Sequence, residues 1–254
     1  MKWLLAPTVP ACLLLCPVVL AAFGSIPAHQ AQARNCKAAY VRERAVATQT
    51  EGRTDAARRE EECLADADDG VIPLLLRGTG ESVDVPTAVQ TYRDSSAGLC
   101  GVLAEKGSDI EGPAQARSQC TANREADLAQ LVDSYALGGK APSSVVTGVG
   151  PCDDAFKANH AGAHAWATLA SCASEQIEAK AALFVPKFAD GDPLGALGHS
   201  EDQIASTFSV AINAGNGVCD VLIATQPSAK EPMREKCRAS VAAAVAKAVL
   251  DRLH

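Results

Sequence analysis

Eight cysteines follow residue 33 of this chain, and they fall into four neighbouring pairs: Cys36/Cys63, Cys100/Cys120, Cys152/Cys172 and Cys219/Cys237. The spacings within the pairs are 27, 20, 20 and 18 residues. The midpoint of each pair lands on or beside a turn signal. For Cys36/Cys63 it lies just before Glu51-Gly52, and for Cys100/Cys120 at Ile110 in Gly107-Ser108-Asp109-Ile110-Glu111-Gly112-Pro113. For Cys152/Cys172 it is Gly162, and for Cys219/Cys237 it is Ser228 in Gln226-Pro227-Ser228. A disulfide across the two arms of a helical hairpin leaves this symmetry in a sequence. Eight cysteines allow roughly a hundred pairings, and the midpoints select this one.

Residues 1–33 read as an export signal. Lys2 supplies the positive start and Trp3 to Phe23 is an uncharged apolar run containing Cys12 and Cys16. Two small-x-small cleavage sites follow, Ala22-Phe23-Gly24 and Ala31-Gln32-Ala33, so the cut is expected after Gly24 or after Ala33. Pro7, Pro10 and Pro17 oppose a stable spanning helix. Leu13-Leu14-Leu15 ahead of Cys16 lacks the small residue of a lipoprotein signal. No later stretch is apolar and long enough to predict a bilayer span. An even set of cysteines in an exported chain is a disulfide framework, which predicts a periplasmic or secreted protein.

The chain beyond the leader is rich in alanine and poor in alternating β-branched runs, which predicts an all-α fold. Met233, Cys237, Val241, Val245 and Val249 repeat every four residues and predict a helix over 232–253, with Pro232 at its start. Leu128, Leu131, Val132 and Tyr135 mark a helix over 113–137, ended by Gly138-Gly139. Trp166, Leu169, Ala173, Ile177 and Phe184 mark one over 163–185. Ser200 and Gln203 form a capping box ahead of Ile204, Phe208 and Ile212. The charged segment 54–69 is also helical in pattern. First hairpin arms of about two turns are expected, except after Cys36, and such helices are marginal without a crosslink.

The cysteine offsets point to a tandem duplication. Cys36 to Cys152 is 116 residues, Cys100 to Cys219 is 119 and Cys120 to Cys237 is 117, with Cys63 to Cys172 the poorest at 109. Ala122/Ala239, Ala126/Ala243, Ala129/Ala246 and Val132/Val249 match in register, although alanine-rich helices also match by composition. The expected organisation is therefore two similar helical halves, 34–140 and 141–254, each of two disulfide-stapled hairpins. Gly148-Val149-Gly150-Pro151-Cys152-Asp153 resembles Gly215-Asn216-Gly217-Val218-Cys219-Asp220, as if a glycine-rich turn fed a cysteine at a helix start in both.

Without residues 1–33 the chain carries 22 basic and 30 acidic side chains, a net charge of −8. That charge disfavours nucleic acid and anionic lipid and favours encounter with a basic protein partner. The few aromatic residues offer little for stacking bases.

His160 and His164 stand four apart, with Asp153 two turns earlier. On one continuous helix the three would be candidate metal ligands. Gly162 lies between the histidines at the expected hairpin tip, and the sequence lacks the Glu of His-Glu-x-x-His. Exposed loop histidines are the plainer reading. Asp190 and Asp192 sit in a Gly/Pro-rich stretch over 186–199 that reads as a loop. No Gly-x-Ser-x-Gly, Cys-x-x-Cys or phosphate-loop pattern occurs. Pairing leaves no cysteine for redox or nucleophilic work, and no cofactor is implied. The sequence thus reads as a rigid exported binding protein, such as a periplasmic inhibitor or immunity factor. His160, Trp166, Asp190 and Asp192 are the expected partner contacts, with plain core packing the alternative for Trp166. The other readings are a metal-dependent hydrolase on His160/His164 and a small-molecule carrier with an apolar cavity.

Overall fold

The computed structural model describes residues 25–76, 84–106, 112–137, 140–185, 199–226 and 231–253. Among them are eight α-helices and one 3-10 turn, and no strand. In chain order the helices are α1 (Ser25–Val46), α2 (Thr50–Leu76), α3 (Val85–Glu105), α4 (Gly112–Tyr135), α5 (Gly150–Asn159), α6 (Ala165–Glu178), α7 (Glu201–Ala224) and α8 (Glu231–Leu250). The 3-10 turn, Ala181–Phe184, lies between α6 and α7.

All four expected disulfides are present. Cys36–Cys63 joins α1 to α2, Cys100–Cys120 joins α3 to α4, Cys152–Cys172 joins α5 to α6 and Cys219–Cys237 joins α7 to α8. The Cα separations of 5.5 to 5.8 Å suit crosslinks between neighbouring helices. Four such bonds belong to an oxidising compartment outside the cytosol.

The helix starts follow local chemistry. Asp84 caps α3 by accepting from the Thr87 N–H at 3.1 Å, with Pro86 in the first turn. Ser200 and Gln203 form both halves of the capping box on α7, at 3.3 and 2.8 Å. The hairpin arms are longer than two turns, because α3 and α7 extend well ahead of Cys100 and Cys219 and only α5 is short. The pairs α3/α4 and α7/α8 are alike, at 21/24 and 24/20 residues. By contrast, α1/α2 run to 22 and 27 residues against 10 and 14 for α5/α6. The helix expected over 163–185 stops at Glu178. There Lys180 bonds back to Ile177 O at 2.9 Å and the chain tightens into the 3-10 turn.

Apolar packing runs across the two halves. One cluster joins Leu99 and Leu103 of α3 to Leu169 and Ile177 of α6, Ile204 and Phe208 of α7, and Val245 and Val249 of α8. A second joins Tyr92 of α3 and Leu128 and Val132 of α4 to Val218 and Leu222 of α7 and Val241 of α8. Phe184 and Phe208 meet edge to face at 5.6 Å. Among the described residues α7 alone is long and apolar enough to cross a membrane by length and composition. Here it is a core helix, its Phe208, Cys219 and Leu222 fully buried.

The two glycine-cysteine segments are not equivalent. Gly148 adopts φ +74° in a turn that leads into α5. Gly215 and Gly217 lie inside α7. A Cβ on Gly215 would come within 2.4 Å of Val241 Cγ1 on α8. Its glycine therefore serves a close helix crossing and not a turn.

Candidate functional site

The sequence-predicted residues do not converge. His160 follows α5, is exposed, and turns its Nδ1 to the Lys157 carbonyl at 3.1 Å. His164 lies beyond the Gly162 turn, in the left-handed conformation with φ 61°, and pairs with Glu235 on α8 at 2.5 Å. Asp153 points away from both: it accepts from Thr147 N and Oγ1 at 2.8 and 2.9 Å and from Gly148 N at 3.0 Å. It braces the loop into α5 with its carboxylate fully engaged. Among the described residues no three His, Cys, Asp or Glu side chains form a metal-holding group.

Trp166 is half-buried. Its ring stacks at a tilt on Phe156 at 4.5 Å, and Lys236 lies 5.0 Å from its centroid. Burial lowers the Lys236 pKa. Glu235 raises that of His164 through their hydrogen bond. Asp190 and Asp192 lie outside the described residues.

A different region carries a broad concavity. A groove of about 730 Å³ opens over α4, walled by α1 on one side and the end of α8 on the other. Gln30, Arg34 and Lys37 contribute from α1, Asn123, Asp127 and Gln130 from α4, and Lys247 with Arg252 from the α8 end. Lys247 is paired with Asp251 at 2.6 Å, and Asp127 with Arg124 at 3.0 Å. Arg34, Lys37 and Arg252 make no close ion pair among the described residues. One buried acid, Glu60, reaches the groove from α2. Burial pushes its pKa up to about 7, against the opposing pull of Lys37 and Arg44.

Beneath the groove lies a buried polar layer. His29 of α1 donates from Nε2 to Asp68 of α2 and from Nδ1 to Asp133 of α4, both at 2.7 Å. Burial alone would lower the imidazole pKa. The hydrogen bonds and charges of the two carboxylates outweigh it and hold the pKa up at about 9. Both ring nitrogens are occupied, so His29 is a clasp between three helices and offers no lone pair for catalysis. Arg93 of α3 forms a second clasp, to Glu125 of α4 at 2.7 Å and Asp69 of α2 at 2.9 Å. Arg124 is 1% exposed, and its guanidinium lies 5.0 Å from the centre of the Tyr92 ring.

Sequence reasoning missed the groove because its two walls come from residues more than 200 apart in the chain. It missed His29 because the residue lies within the segment read as leader. The available signal was a lone histidine facing no local partner, which is weak. Comparison with known protein families, curated proteins and solved structures finds no match for this chain.

Proposed function

We propose that this is an exported protein that works by binding another protein, in the manner of a periplasmic inhibitor or immunity factor, through the groove over α4. The observation that carries the reading is the groove itself. It is open, about 730 Å³ in volume, and lined by charges of both signs, with Arg34, Lys37 and Arg252 making no close ion pair among the described residues. The four disulfides support it by holding the walls in place, which lowers the ordering cost of association. Without residues 1–33 the net charge of −8 favours a basic partner overall, and the groove lining carries both signs, Arg34, Lys37, Lys247 and Arg252 beside Glu60, Asp127, Asp133 and Asp251.

The volume also falls within the range of about 300–1,000 Å³ typical of small-molecule sites, which favours a carrier as the second reading. An open, charged groove suits a polymer segment better than an apolar cargo.

The test is capture from the exported fraction with the native chain and with an Arg34→Glu/Lys37→Glu/Arg252→Glu variant. Lys157→Glu, at the far end of α5, serves as control. The reading expects a defined protein captured by the native chain and the control, and lost with the groove variant. Equal capture by all three contradicts it.

A further inference from the structure

We infer that the export leader is removed at the Gly24–Ser25 bond and not after Ala33, because His29 is part of the folded core. The inference rests on the export reading and deepens it by naming the processed bond. Both small-x-small sites satisfy the sequence requirement equally well. The structure separates them.

The segment between the two sites is the first part of α1, and it is built into the protein. His29 is 2% exposed and is held at 2.7 Å by carboxylates from two other helices. Ala33 packs against the cluster of Cys36, Leu64 and Ala129, beside the first disulfide. Gln30 and Ala33 form part of the groove wall. A cut after Ala33 would delete all of these. It would leave the fully buried Asp68 with no counter-charge from α1, and the second oxygen of Asp68 already has no partner among the described residues. A buried carboxylate stripped of its partner is strongly destabilising. A cut after Gly24 keeps the whole of α1 from Ser25 onward.

The chemistry is amide hydrolysis by an export peptidase. Water adds across the Gly24–Ser25 bond, Gly24 leaves with a carboxylate and Ser25 keeps the free amine, with Ala22 and Gly24 as the small recognition residues.

The experiment is to produce the chain with its own leader, recover the exported fraction, and determine intact mass and N-terminal sequence. A start at Ser25 is the expected result. A start at Arg34 overturns the inference while leaving export standing, and a start at any other residue overturns the assigned bond. An uncleaved mass overturns the export reading and this inference with it. A second measurement compares oxidatively refolded chains that begin at Ser25 and at Arg34. The shorter chain is expected to melt about 10 °C lower, and equal melting temperatures would overturn the structural argument.

Discussion

His29 Nε2 donates to Asp68 Oδ1 at 2.7 Å, and both side chains are completely buried. The pair joins α1 to α2 across 39 residues, and Asp133 on α4 completes the clasp from the other ring nitrogen. Replacing His29 by Ala is expected to cost about 3–5 kcal/mol, the scale for breaking a buried charge pair while leaving one partner behind. Urea denaturation of the oxidised protein checks this. The loss should shrink when Asp68→Asn is added, because the stranded charge is then gone.

His29 and two buried carboxyls make stability fall as pH rises. Glu60 and Glu125 are buried carboxyls pushed up to about 7, so between roughly pH 4.5 and 7 the unfolded chain has released protons that the folded chain still holds. His29 is held at about 9, so its contribution is complete below about 6.5 and is lost as pH climbs to about 9. Melting temperature should decline from pH 5 to pH 9. Glu60→Gln should flatten the lower part of that decline and His29→Gln the upper part. A plateau across the whole range would contradict the assignment.

At the α7–α8 crossing, Gly215→Ala is expected to destabilise by about 1–3 kcal/mol, because the new Cβ would collide with Val241 Cγ1. Val241→Ala should restore part of that loss. The double-mutant cycle on thermal unfolding reads the coupling directly.

The Cys36–Cys63 bond closes the longest of the four loops, 27 residues. Replacing both cysteines by Ala should cost roughly 3 kcal/mol in the chain-entropy account. It should also loosen the α1 wall of the groove first, giving faster amide exchange in α1 than in α8.

The hairpins were legible because a crosslink between neighbouring helices imposes a spacing and a midpoint that local sequence displays. Gly162 correctly marked the tip between His160 and His164, and that turn undid their apparent i,i+4 relation. Gly215 was misread because the absence of a Cβ serves a turn and a close crossing equally, and only the position of Val241 tells them apart. The partners of His29 lie 39 and 104 residues away and carry no pattern along the chain. The groove was invisible for the same reason: Lys37 and Lys247 line it together although six helices lie between them in sequence.

Hydrogen–deuterium exchange on the protein, alone and with the partner it captures, tests the groove most directly. The account predicts protection concentrated at residues 30–37 of α1 and 244–252 at the end of α8. Protection confined to residues 156–166 around His160 and Trp166, with the groove segments unchanged, would contradict it.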